Sequence, residues 1–295
     1  MKCNQVRLNC GTTIPIIGLG TYSFQNDREK TEEAVQMAVK MGYRHFDTAK
    51  IYGSEPALGK ALTEAIRDQI VEREDIFVTS KLWGSDHHDP VSALKQTLQI
   101  YLSLVCLNDG KTYLKSLGDI ILLFSRQKWD CVGASASAIS LVGRLNGSWI
   151  LLAVPPAVNQ VEMHPMWRQA KLRELCGEQN IHVSAYSPLG GPGNSWGSTA
   201  VVENPIIQSI ALKHKATPAQ VSLGWGLLKG ASVIVKSFNE DRMKENMGAL
   251  DLRLDDRDLL DIAKMEERKI MSGEFLVNET TSPYKTLQDL WDDEI

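Results

Sequence analysis

Short apolar runs separated by full helices recur along this chain, and that alternation narrows the fold more than any other feature. After "VRLNCGTTIPIIGLGTY", whose start reads as a small hairpin or plug, "TEEAVQMAVKMG" has a helical period and stops at Gly42. "YRHFDTA" reads as a strand, "EPALGKALTEAI" as a helix and "DIFVTSKLW" as the next strand. "DPVSALKQTL" then opens a helix with Asp89 as cap and Pro90 in its first turn. The later half repeats the pattern through "PAVNQVEMH", "QAKLRELCGEQN", "IHVSAYSPLG", "NPIIQSIALKHK", "TPAQVSLGWGLLKG" and "ASVIVKS". Two last helices are expected, from about Asn239 to Ala249 and from Asp255 to about Glu267, before a polar-aromatic tail over 270–295.

Strands that alternate with helices form a parallel sheet covered by those helices. The count is close to eight, and 295 residues suit a closed (β/α)8 TIM barrel read as one domain over 1–295. An open doubly wound sheet is the alternative, but it would carry GxGxxG after the first strand, which "GLGTYSF" does not supply. A net charge of −4 gives no footprint for nucleic acid or an anionic membrane surface. No apolar run is long enough to span a bilayer, and "MKCNQVRLNCGTT" has no apolar signal core. The five cysteines are scattered without CxxC spacing, which fits reduced thiols and a cytosolic protein.

In a barrel the reacting groups sit where strands end at their C-terminal edge. There the second strand offers Asp47, with Tyr52 just after it, and the third offers Lys81. A phenol has an ordinary pKa of about 10, and a nearby ammonium is expected to lower it. A carboxylate would hold that ammonium in place, making a set suited to protonating a carbonyl oxygen while hydride reaches carbon. Each residue alone also reads structurally: Asp47 as a turn residue, Tyr52 as loop cover, Lys81 as a solvated lysine. A second cluster, "SVIVKSFNEDRMKEN", places Lys236 at a strand end and Ser237 as helix cap with Glu240 as its capping-box partner. Lys236 and Arg242 at a helix start favour an anion such as a phosphate, against the plainer reading of a well-capped surface helix.

The segments "GLGTY" (18–22), "GYRHFDTAKIYGSE" (42–55), "TSKLW" (79–83), "PAVNQVEMHP" (156–165), "AYSPLG" (185–190) and "VIVKSFNEDRMKEN" (233–246) together resemble the aldo-keto reductase family. The tail "SPYKTLQDLWDDEI" is similar to its plant branch, which includes codeinone, chalcone and methylecgonone reductases and deoxymugineic acid synthases. The resemblance spans about residues 5–98 and 154–295. It implies a monomeric barrel that binds NADPH without a Rossmann domain and reduces a small ketone or aldehyde. On that resemblance Asp47, Tyr52 and Lys81 are catalytic, with Tyr52 the general acid. Thr21, Asp47, Ser135 and Gln160 would bind the cofactor, Gln160 bonding the carboxamide, and Tyr186 would stack on the nicotinamide ring. Ser187 and Leu189 would line the pyrophosphate. Lys236, Ser237 and Arg242 would hold the 2′-phosphate, and Glu245 and Asn246 would meet the adenine. No metal is implied.

The centre departs from the family. Phe124 stands where the family has a histidine closing the fourth strand, and phenylalanine has no hydrogen-bond donor. "GASASA" (133–138) keeps Ser135 but has Ala136 where the family has asparagine. "QIYLSLVCLNDGKTYL" (99–114) interrupts a helix, and too few residues follow the fourth strand for the crossover that parallel neighbours need. Residues 99–153 therefore read as atypical, in the pattern of an altered splice, with helix four missing and the barrel incomplete around strands four and five. His87 and His88 fall on the reactive side of the third strand, where solvent is their expected partner.

Overall fold

The computed structural model describes residues 5–23, 27–82, 92, 96–97, 120–124, 135–137, 156–280 and 284–291. An antiparallel pair, Gln5–Arg7 (β1) and Thr13–Pro15 (β2), precedes eight parallel strands. These are Ile17–Gly20 (β3), His45–Asp47 (β4), Phe77–Leu82 (β5), Ile120–Phe124 (β6), Ser135–Ser137 (β7), Val158–Glu162 (β8), His182–Tyr186 (β9) and Ser232–Val235 (β10). Their hydrogen-bonded order is β7-β6-β5-β4-β3-β10-β9-β8, and the outer strands β7 and β8 lie side by side. The first barrel strand pairs with the last (Ile17 opposite Val233), as in a closed ring rather than an open doubly wound sheet.

The ring has one seam. Among the described residues no hydrogen-bonded register joins β7 to β8, whereas β6 and β7 pair from Leu122 opposite Ser135 to Phe124 opposite Ser137. The seam thus lies one strand beyond the short crossover that the sequence singles out. That crossover (125–134), the interrupted stretch 99–114, Asp89, Pro90, His87 and His88 all lie outside the described residues.

The helices form for legible reasons. Arg28–Met41 (α1) starts at Asp27, whose carboxylate accepts from Lys30 N, and stops at Gly42 with φ of 97°, where a side chain would be strained. Its buried residues, Thr31, Ala34, Val35, Ala38 and Val39, follow one helical face. Glu55–Arg67 (α2) turns Leu58, Ala61, Leu62 and Ala65 onto the same core. Beyond β8 come Ala170–Glu178 (α3), Pro205–His214 (α4) and Pro218–Leu228 (α5). The last of these carries the expected Thr217–Gln220 capping box. Glu240–Met247 (α6), Asp256–Ala263 (α7) and Leu287–Trp291 (α8) complete the chain. The α7 helix ends at Ala263 rather than Glu267, because after Lys264 the backbone turns to bring Glu267 against Arg168.

The main core lies between the strands and these helices and includes Leu19, Phe46, Met163, Leu223 and Trp225. At the N-terminal end of the barrel, Leu8 and Ile14 of the hairpin pack on Phe77 and Val158, the first residues of β5 and β8. The hairpin is therefore a plug at the end away from the chemistry. The tail forms a satellite cluster of Leu276, Val277, Tyr284, Leu287, Leu290 and Trp291, tied down by Trp291 Nε1 donating to the Ser272 carbonyl at 2.6 Å. Among the described residues no helix is long and apolar enough to cross a membrane. Cys10 and Cys176 are free thiols.

Candidate active site

Asp47 closes β4 beside Thr79 of β5, and two more residues along β5 carry Lys81 past the carboxylate. Lys81 Nζ donates to Asp47 Oδ1 at 2.6 Å and to the Thr48 carbonyl at 2.9 Å. From across the barrel Gln160, on β8, donates through Nε2 to Asp47 Oδ2 at 2.8 Å. Both carboxylate oxygens are thus engaged. Tyr52 ends a single 3-10 turn, Lys50–Tyr52, which Gly53 closes at φ 65°. The Lys81 ammonium lies 5.0 Å from the Tyr52 ring centroid, while Tyr22 meets the same ring edge-on at 5.1 Å.

The electrostatics differ in one respect from the sequence-based expectation. Burial raises the Tyr52 pKa above the ordinary tyrosine value; Lys81 lowers it by less, and Asp47 adds to the rise. The phenol is therefore held protonated, where the ammonium alone was expected to favour phenolate. Burial also opposes the charge on Lys81, but Asp47 and then Tyr52 outweigh it, and the lysine pKa is raised. A protonated phenol beside a fixed ammonium can release its proton and have the resulting anion stabilised in place.

The second cluster follows β10. Here Asn239, not Ser237, caps α6: its side chain accepts from Arg242 N at 3.0 Å. The helix starts at Glu240, so the third-residue donor is Arg242 N, within reach of Asn239 but not of Ser237. Ser237 instead closes a turn, accepting from Asn239 N at 3.2 Å. Lys236 and Arg242 are exposed, and neither has a carboxylate partner among the described residues. The Lys236 ammonium stands 4.5 Å over the Phe238 ring, and its pKa is lowered by partial burial and then by Arg242.

The other expected residues divide. Thr21 is buried, its hydroxyl donating to the Asp47 carbonyl at 3.0 Å and meeting Ser54 Oγ at 2.8 Å. Tyr186 ends β9 and donates to Met271 Sδ at 3.2 Å; Ser187 follows with φ of 50°, a left-handed conformation that serine seldom adopts. Leu189 packs on the main core. Glu245 accepts from Thr217 Oγ1 at 2.6 Å, and Asn246 is buried. Ser135 opens β7, and Phe124 ends β6 beside Leu82, with Leu123 beside Lys81. Sequence reasoning missed Glu162: it ends β8 and accepts from His164 Nε2 at 3.0 Å and from the backbone N–H of Ile270 and Met271 at 2.9 and 3.1 Å. The signal was a carboxylate at a strand end in "QVEMH", two residues before a histidine.

The sequence model of the aldo/keto reductase family matches residues 16–102 and 128–267. This chain belongs to the aldo-keto reductase family. Aldo-keto reductase family 4 member C11 of Arabidopsis thaliana is 39% identical to it over 309 residues, covering 98% of each chain. Deoxymugineic acid synthase 1 of Zea mays is 40% identical over 312 residues, again 98% of each. The 7-acetyl-epi-neemfruitin B aldo-keto reductase of Melia azedarach is 38% identical over 310 residues, covering 97% of this chain and 95% of that one. Membership makes the chain an oxidoreductase of the carbonyl-reducing type, from a family that generally uses NAD(P)H. The family match also resumes at residue 128, earlier than the resemblance read by eye; within its span it leaves out 103–127, the stretch that holds Phe124.

Proposed function

We propose that this chain reduces a small ketone or aldehyde to an alcohol with NADPH, Tyr52 serving as general acid. The observation that carries the reading is Lys81, fixed between the Asp47 carboxylate and the Tyr52 phenol at the reactive edge of the barrel. The donor set suits the cofactor. Lys236 and Arg242 offer two cations without a carboxylate partner among the described residues, as a 2′-phosphate requires, and Tyr186 supplies an aromatic ring at the end of β9. Gln160 uses its N–H on Asp47 and leaves its carbonyl oxygen to accept from a carboxamide. When bound, the nicotinamide supplies hydride to the carbonyl carbon. Tyr52 gives its proton to the carbonyl oxygen, the Lys81 ammonium stabilises the phenolate left behind, and Asp47 keeps the lysine charged and aimed. The reading extends to a cytosolic monomer acting as one domain.

Phe124 at the end of β6 supports a second reading, a nucleotide-binding protein with little or no turnover. One missing polar group at such a site costs a factor of about 10² to 10³ in kcat. The test follows NADPH oxidation with a reactive aldehyde in the parent, in Tyr52→Phe and in Phe124→His. The proposed function expects slow turnover in the parent, none in Tyr52→Phe and about a hundredfold gain in Phe124→His. NADPH binding with no turnover in either the parent or Phe124→His would establish the second reading instead.

A further inference from the structure

The turn that carries Tyr52 is one short 3-10 turn, Lys50–Tyr52. Its own backbone bonds run from Tyr52 N to the Ala49 carbonyl and from Gly53 N to the Lys50 carbonyl, and Ile51 at its crest is 53% exposed. The two residues that follow Gly53 are both polar and both buried: Ser54 and Glu55, each 3% exposed. Ser54 Oγ lies 2.8 Å from Thr21 Oγ1, just past β3, and 2.8 Å from Thr48 Oγ1, just past β4. Glu55 Oε1 accepts from Ser80 Oγ at 2.7 Å, the residue next to Lys81 on β5. A carboxylate at that depth is costly unless it is bonded, so its retention calls for a reason.

We infer that Ser54 and Glu55 are positioning residues that set the Tyr52 phenol against the Lys81 ammonium. This rests on the reading of Tyr52 as general acid. The geometry is a brace across three strand ends. Ser54 pins the end of the turn to the strands that carry Thr21 and Asp47, and Glu55 pins it to the strand that carries Lys81. Ser80 points away from the site while Lys81 points into it, so the Glu55 bond fixes the lysine's strand from behind without touching substrate. Losing either anchor leaves the phenol free to drift from the ammonium, which weakens the support for the phenolate.

The experiment compares Ser54→Ala, Glu55→Ala and Glu55→Gln with the parent and with Tyr52→Phe, all in the Phe124→His background if the parent turns over too slowly. Glutamine keeps an acceptor for Ser80 and is expected to rescue most of the effect. Ser54→Ala and Glu55→Ala should each lower kcat by up to about tenfold while KM for the aldehyde and Kd for NADPH stay within about twofold, since one neutral hydrogen bond corresponds to up to about tenfold. The alkaline limb of the kcat profile should move to higher pH, because the phenol loses part of its ammonium. Independently of turnover, hydrogen–deuterium exchange over residues 49–54 should rise in both alanine variants and return toward the parent in Glu55→Gln. Unchanged exchange with an unchanged pH profile overturns the inference, as does a Glu55→Gln as impaired as Glu55→Ala. Full activity in Tyr52→Phe would instead overturn the reading of the general acid, and the exchange data would still judge the brace.

Discussion

Two lysines mark the reactive edge of the barrel, Lys81 near the end of β5 and Lys236 one residue past β10. Lys81 is largely enclosed and its ammonium is spent on Asp47 and Thr48, beside the Tyr52 ring. Lys236 is exposed, sits beside Arg242 and has no carboxylate among the described residues to answer it. The difference separates two uses of one side chain. A charge neutralised inside the protein organises the protein's own groups, whereas a charge left open at a helix start suits an anion from outside. Two histidines supply a third case. His45 is bonded to the Pro15 carbonyl and Thr79 hydroxyl, and His182 accepts from Ser232 N. Burial holds each pKa down to about 4, in His45 against the pull of Asp47 and in His182 with added repulsion from His45. Without a directly bonded carboxylate, an enclosed base stays neutral.

The strongest test of this contrast is Lys81→Met. It should abolish turnover and destabilise the fold by about 3–5 kcal/mol in urea unfolding, because Asp47 would be left buried with only Gln160 to answer it. Adding Asp47→Leu should return much of the stability and none of the turnover; if both losses persist together, the pair is structural rather than an organiser of Tyr52. Next in size is the acid response. Each histidine binds a proton near pH 6.5 when unfolded and near 4 when folded, so its contribution is complete above pH 6.5 and is lost as pH falls towards 4. The loss across that window is on the order of 3 kcal/mol per histidine, seen as a falling urea midpoint that is shallower in His182→Gln. The smallest effect belongs to the open cations. Lys236→Ala and Arg242→Ala should each weaken NADPH binding about tenfold, less at high salt, with NADH affinity and the urea midpoint unchanged. Equal loss for NADH would remove the phosphate from the assignment.

Much of this was legible in the sequence because the relevant physics is local. The strand–helix alternation, the Asp27 and Gly42 ends of α1 and the Thr217–Gln220 box all depend on residues within a few positions of one another. Asp47, Tyr52 and Lys81 were legible as strand-end residues. The net direction of the Tyr52 pKa was not, since it depends on how deeply three segments enclose the ring. Nor was the link between Gln160 and Asp47, which are 113 residues apart. The cap of α6 shows the limit at short range: both Ser237 and Asn239 are good caps, and only the onset of helical backbone at Glu240 decides between them.

The pairing of β3 with β10 also has a consequence in time. On one edge of β3, Ile17 and Leu19 pair with Val233 and Val235, and the Tyr43 hydroxyl donates to a carbonyl 200 residues onward, at Met243. On a ribosome, that interval amounts to roughly ten to forty seconds of elongation. Through all of it one edge of β3 and the apolar face of α1 that will meet α6 remain uncovered, so this molecule's greatest exposure to misassembly falls during its synthesis.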